Sequence, residues 1–277
     1  MDITIASGLR LEYEIYGPKD GEAVLLIMGT GGQLTLWPLS LVELLVDKGL
    51  RVIRYDARDV GLSDRVEGDA GYALDDMAAD AAGLLDALGI GAAHIVGGSM
   101  GGMVAQLIAI NHPDHVRTLT SIMSSSGNPE LPGPSPELIQ RLMAPAPDPQ
   151  EDLDAFLDHQ VANAQLTQSP DYPTDAQELR AQFASDFNRS YDPAGAVRHQ
   201  TATFAATDRR TGLRAVAVPT LVIHGEADPL IPVAAGRDTA GTIPGARLLL
   251  IPGMGHDLAP QLLSQYADAI VELASGA

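Results

Sequence analysis

The chain contains no cysteine. That removes disulfides, thiolate nucleophiles and cysteine metal sites from the chemistry open to it. Positive charge is scarce as well: 17 Lys and Arg stand against 36 Asp and Glu, a formal net charge of −19. Such a surface repels phosphate backbones and anionic lipid, so neither nucleic acid nor a membrane is an expected partner. No apolar run approaches the roughly 18 to 20 residues that cross a bilayer. The first residues, MDITIASGLRLEYEIYG, lack a basic start followed by an apolar stretch, so no signal peptide is expected and a cytoplasmic location is. No metal-ligand cluster stands out in the sequence, and the glycine-rich stretches do not fit a nucleotide. A Walker A loop would need Lys and then Ser or Thr after Gly102, where Met103 and Val104 stand; a dinucleotide fingerprint starting at Gly29 would need glycine at Leu34. No cofactor is therefore expected, and activity should survive a chelator.

What is present suits a large buried core: 277 residues, 45% of them hydrophobic. Residues 2–6 and 9–16 alternate apolar and polar around Ser7-Gly8, which predicts an antiparallel pair. Then come short, mostly apolar runs: AVLLIM (23–28), LRVIRY (50–55), AAHIVG (92–97), VRTLTSIM (116–123), PTLVIHG (219–225) and ARLLLIPG (246–253). Parallel strands buried on both faces read this way. Between them lie helical patterns; from Leu74 to Leu88 the apolar residues fall at steps of three and four, and Gly89 closes the run. The alternation predicts an α/β fold with a mostly parallel, doubly wound sheet. It stops at Met123 and resumes near Val218. Proline-rich pieces and helical runs (136–143, 153–165) fill the gap, so residues 1–123 and 215–277 are expected to form the core and residues 124–214 a mainly helical cap inserted before the penultimate strand.

The chemistry is written in HIVGGSMGGMVAQ, residues 94–106. An apolar strand entering G-x-S-x-G and leaving as a helix is a nucleophile elbow: the serine sits on a strained turn, and the glycines two residues before and after it give neighbouring backbone room. Gly97 and Gly101 hold those places around Ser99, while Gly98, beside the serine, widens the pocket for substrate. A serine hydroxyl needs a base, and the base needs a carboxylate to fix its tautomer. Of the seven histidines, His94 lies in the strand before the elbow, His112 and His115 end the following helix, His159 and His199 belong to the cap, and His224 is inside the penultimate strand. His256, in GMGHDLAP just beyond the last strand, lies where open α/β sheets place their ligands. Asp228, in HGEADPLIP, holds the matching position one strand earlier, with Pro229 behind it; Glu226 and Asp257 are the neighbouring alternatives. The backbone N–H of Met100 and an N–H in MGTGGQLTLWP, Thr30 first and Gly29 second, are the expected oxyanion donors. Gly29 also lets the backbone approach a ligand, and Trp37 follows closely enough to line the mouth of the pocket, although packing in the core is the commoner fate of such a residue. Phe156, Leu157, Val161, Phe183, Phe187 and Phe204 are expected either to roof that pocket or to form the seam between cap and core. Asp56, Arg58 and Asp59 in RYDARD offer a catalytic carboxylate and cation, but read first as a hydrogen-bonded loop after the fourth strand.

LLIMGTGG, RVIRYDARDVGLSD, HIVGGSMGGMVAQ, PTLVIHGEADPLIP and IPGMGHDL together resemble the α/β-hydrolase superfamily. Within it the chain looks most like the aclacinomycin methylesterase group, which shares Met-Gly after the third strand (Met28-Gly29 here), RYD-x-RD-x-G-x-S and IPGMGH. That resemblance implies a nucleophile at Ser99, an acid at Asp228, a base at His256 and backbone donors at Thr30 and Met100, acting on a small-molecule carboxylic ester through an acyl-enzyme. It suggests a bulky or aromatic ester, and the acidic surface favours neutral or cationic substrates. Serine at position 99 argues against epoxide hydrolase and haloalkane dehalogenase chemistry, which place aspartate there. A lactonase, a C–C bond hydrolase, a cofactor-independent perhydrolase and a slow-turnover ligand receptor all stay compatible with the same triad.

Overall fold

The computed structural model describes residues 1–66 and 71–277. Among them, eight strands form one sheet in the order β1-β2-β4-β3-β5-β6-β7-β8. The antiparallel start is β1 (Asp2–Thr4) against β2 (Arg10–Tyr16), with β2 also antiparallel to β4. The bend between them is closed by Gly8 at φ 87°, a conformation that glycine adopts without cost. From there the pairing is parallel through β4 (Arg51–Tyr55), β3 (Ala23–Ile27), β5 (Ala93–Gly98), β6 (Val116–Ile122), β7 (Thr220–Gly225) and β8 (Arg247–Ile251).

Even within an unbroken apolar run the two-residue period of a strand sorts side chains between faces. In β3, Leu25 and Ile27 join Ile53, Ile95 and Leu119 beneath α2 (Leu74–Ala87) and α3 (Met100–Asn111). Val24 and Leu26 point the other way, into a second cluster with α1 (Leu39–Asp47) and α10 (Leu263–Ser275). Both faces of the central strands are thus covered, as the apolar runs require. The last strand departs from that expectation. Arg247 and Leu248 on β8 are exposed, because β8 is the edge of the sheet, and pairing ends at Ile251, before Gly253.

Between β6 and β7 the chain forms helices α4 (Pro136–Leu142), α5 (Leu153–Thr167), α6 (Ala176–Arg189), α7 (Pro193–Phe204) and α8 (Arg210–Leu213). Four of them start on a capping side chain: Ser135, Asp152, Asp175 and Asp192 each accept a hydrogen bond from a first-turn N–H. After β7, α9 (Ala234–Thr242) returns the chain to β8.

Candidate active site

Ser99 stands between β5 and α3 at φ 56°, ψ −122°, a region that non-glycine residues occupy only at a cost of about 1–3 kcal/mol. The surroundings hold it there. Its N–H donates to the Ile122 carbonyl (2.9 Å), and its own carbonyl accepts from Gly102 N–H (2.9 Å) and the Ser124 hydroxyl (2.7 Å). A Cβ on Gly97 would lie 2.0 Å from the Gly101 carbonyl oxygen, and one on Gly101 would lie 2.1 Å from the Ile27 carbonyl oxygen. Gly102, which the elbow pattern leaves unexplained, is also constrained: a Cβ there would meet Ser124 Cβ at 2.6 Å. Gly98 differs, since its nearest neighbours, Met123 and Trp37, would sit at ordinary contact distances.

The structure brings His256 and Asp228 to this serine. His256 Nε2 lies 2.9 Å from Ser99 Oγ, and Nδ1 lies 2.8 Å from Asp228 Oδ2. With the carboxylate as acceptor, Nδ1 carries the proton, which leaves Nε2 free to accept the serine proton. Asp228 is fixed through its other oxygen, which accepts from Leu230 N–H (2.9 Å) and Ile231 N–H (2.8 Å). The turn around Pro229 therefore wraps back on the side chain at its head. Both alternative carboxylates are engaged elsewhere: Glu226 faces Arg237 (3.4 Å), and Asp257 accepts from the Ser169 hydroxyl and N–H. Burial pushes the Asp257 carboxyl above its ordinary range, against the opposing pull of those hydrogen bonds.

Gly29 abuts the nucleophile, since a Cβ on it would come within 3.1 Å of Ser99 Cβ. This brings the loop carrying Thr30 to the site. Met100 opens α3, so its N–H has no partner within the helix. Among the described residues, neither Thr30 N–H nor Met100 N–H donates a hydrogen bond.

Ser99 and His256 lie on the wall of a cavity of about 560 Å³, where Gly29, Thr30 and Gly98 also face the space. Helix α6 and the residues before it supply the opposite wall through Thr174, Glu178, Leu179, Gln182 and Phe183. A second cavity of about 330 Å³ adjoins it, with Thr30, Gly32, Leu36 and Phe183 lining both. Phe156, Phe187 and Tyr191 face that second space, their rings 5.0–5.8 Å apart. Trp37 is a correction. It does not line the pocket but is fully buried in the core cluster of α1 and α10, and its neighbour Leu36 takes the place at the wall. The short turn Leu34–Leu36 rotates the indole inward, and the Arg54 guanidinium anchors the Trp37 carbonyl at 2.6 Å. Phe204 also misses the cavities and is 76% exposed.

Asp56 and Asp59 do form a hydrogen-bonded loop after β4. Asp56 accepts from Leu34 N–H and Leu62 N–H (both 2.8 Å) and faces Arg189 (2.7 Å); Asp59 is held by Arg198 through two contacts of 2.7 and 2.8 Å. Arg58 pairs with Asp80. Sequence reasoning missed a second role of the insertion. Where α5 ends, the Thr167 carbonyl accepts the His256 N–H (2.7 Å), and the Ser169 hydroxyl accepts the Gly255 N–H (2.8 Å) while donating to Asp257 (2.5 Å). This clamp holds the loop that carries the histidine, and nothing in TQS, residues 167–169, marks it.

A family model described as the alpha/beta hydrolase fold matches residues 22–260, and the chain belongs to that family. Rhodomycin D methylesterase of Streptomyces peucetius is 33% identical, the match covering 84% of this chain and 85% of that protein. A 2-hydroxymuconate semialdehyde hydrolase of a Pseudomonas species is 32% identical over 91% of this chain and 86% of its own. Among solved structures, the meta-cleavage product hydrolase of Pseudomonas fluorescens aligns with a TM-score of 0.81 at 20% identity, covering 100% of this chain and 97% of the other. The chain is thus similar to hydrolases, methylesterases among them, along nearly its whole length.

Proposed function

We propose that the protein is a serine hydrolase of carboxylic esters, and that its preferred substrates are small esters of bulky or aromatic acids, methyl esters in particular. The observation that carries this reading is the relay Ser99 Oγ, His256 and Asp228, linked at 2.9 and 2.8 Å on the wall of a cavity large enough for a drug-sized ligand. His256 removes the Ser99 proton as Oγ attacks the ester carbonyl, and the carbonyl oxygen becomes an anion facing the N–H groups of Thr30 and Met100. The imidazolium then protonates the departing alcohol and leaves an acyl group on Ser99. Water, deprotonated by the same imidazole, reverses the sequence and frees the acid. Asp228 holds the imidazole by its Nδ1 and stabilises the imidazolium. Gly29 and Gly98 line the cavity beside Ser99, and the lack of a side chain on Gly29 leaves the nucleophile clear.

The activity for which the methylesterase relative is named supports the ester, and the cavity wall supports its charge: Glu178 and Asp257 both face the space, which disfavours a free carboxylate on the substrate. No helix among the described residues is long and apolar enough to cross a membrane. The test is steady-state hydrolysis of p-nitrophenyl acetate and butyrate beside a panel of aryl methyl esters. Turnover above background that vanishes in Ser99→Ala supports the reading, and an unchanged rate in that variant refutes it. The semialdehyde hydrolase relative favours one rival, C–C bond cleavage by the same triad. Preference for a vinylogous diketo acid over every ester in the panel would establish that rival.

A further inference from the structure

The insertion places one more buried group against the loop that carries Thr30. His199, on α7, is fully buried, and each ring nitrogen meets one backbone group. The Gly31 N–H donates to Nδ1 across 3.1 Å, and Nε2 lies 2.7 Å from the Arg58 carbonyl oxygen. An N–H requires an acceptor and a carbonyl requires a donor, so only a neutral imidazole with its proton on Nε2 satisfies both. Gly31 follows Thr30 directly and stands at φ 68°, and a Cβ on it would come within 3.1 Å of Ala196 Cβ. Helix α7 therefore lies tight against this turn.

The geometry points to His199 as a positioning residue: as a neutral Nε2–H imidazole it fixes the peptide between Thr30 and Gly31, and so aims the Thr30 N–H at the oxygen that turns anionic when Ser99 attacks. This rests on the serine-hydrolase reading above. Protonation would place a second N–H on Nδ1, facing the Gly31 N–H with no acceptor between them, and the turn would have to move. The titratable and charged groups around the ring come from three segments: Arg58 and Asp59 after β4, Tyr72 before α2, and Arg198 on α7 itself. Asp59 is already satisfied by Arg198 and by Val66 N–H (2.7 Å). Burial holds the imidazole below the ordinary histidine range, against the opposing pull of the Arg58 carbonyl and Asp59.

Two variants separate aim from bulk. His199→Phe keeps a ring without an acceptor, and His199→Asn keeps an acceptor near the Nδ1 position without a titrating group. The expected loss in His199→Phe is about 10- to 100-fold in kcat with KM little changed, below the cost of deleting an oxyanion donor outright. The affinity for an aryl trifluoromethyl ketone should fall in parallel. In that inhibitor Ser99 Oγ bonds the carbonyl carbon, the serine proton passes to His256, and the carbonyl oxygen becomes the anion the turn must hold. His199→Asn should recover most of both quantities. In the wild-type protein, nitrogen NMR should find Nδ1 unprotonated at the pH of full activity, a readout that needs no variant to fold. Unchanged kcat and ketone affinity in His199→Phe, equal losses in both variants, or a proton on Nδ1 would each overturn the proposal. Turnover surviving in Ser99→Ala would instead sink the hydrolase reading beneath it.

Discussion

Adding one methyl group at each of two glycines flanking Ser99 should have opposite consequences. At Gly101 a Cβ would sit 2.1 Å from the Ile27 carbonyl oxygen and 2.7 Å from the Met28 carbonyl oxygen, both of them backbone atoms at the end of β3. An ordinary carbon–oxygen contact needs well over an ångström more, and no side-chain rotation can supply it, so α3 must part from β3. Overpacking in a core costs about 1–3 kcal/mol and more where backbone must move, so Gly101→Ala is expected to lose roughly 3 kcal/mol or more. For a chain of this size that lowers the melting temperature by about 6 °C or more. At Gly98 the new carbon would meet Met123 Cε at 3.5 Å and the Trp37 ring at 3.8 Å, which is ordinary contact. Gly98→Ala should therefore leave stability within about 0.5 kcal/mol and act only on KM, by narrowing the pocket. Calorimetry or urea titration of the pair settles the matter. Equal melting temperatures for the two variants, or a stable Gly101→Ala, would refute the reasoning.

Asp228→Asn keeps the shape of the acid but favours the wrong tautomer of His256, and kcat is expected to drop about 10⁴-fold with little change in the melting curve; a drop under tenfold would give the orienting role to another group. Phe183 lines both cavities, so Phe183→Ala should join them and raise kcat/KM for esters of multi-ring acids relative to p-nitrophenyl acetate. Unaltered selectivity would mean that the second space does not communicate with the first. Burial lowers three histidines, His94, His199 and His224, below the unfolded value of 6.5. Because the unfolded chain then binds more protons, stability should fall as pH drops below about 6.5, by at most about 1.4 kcal/mol per pH unit for each histidine. The raised carboxyls of Asp80, Asp186 and Asp257 act in the opposite sense, but nearer the carboxylate range. A flat stability profile between pH 6.5 and 5 would contradict this, as read from melting temperature against pH.

The core was legible in the sequence because its constraints are local. A buried parallel strand must be apolar throughout, a strained serine turn needs clearance at fixed offsets, and these leave marks such as AVLLI and GGSMG. Ser99, Asp228 and His256 fall together because the same topology places each just beyond the end of a strand. The misreadings have a common cause. Trp37 is one residue from the pocket wall, and only the rotation of a three-residue turn decides whether it or Leu36 faces the cavity. Helices α5 to α7 and the residues at their ends meet the site through contacts whose register depends on tertiary packing, so neither the Thr167–Ser169 clamp nor the bonds of His199 could be read from periodicity. Gly102 was obscure for the same reason: its constraint is Ser124, which lies beyond β6 and far along the chain.

The proposed ester hydrolysis requires Ser99 to carry an acyl group during turnover. Rapid quenching of the reaction with p-nitrophenyl butyrate, followed by digestion and mass spectrometry, reads this directly. The expected result is a butyryl adduct on the peptide containing Ser99, formed at the rate of the first product burst and absent from Ser99→Ala. Turnover with no adduct on that peptide, or an adduct that persists after Ser99 is replaced, would contradict it.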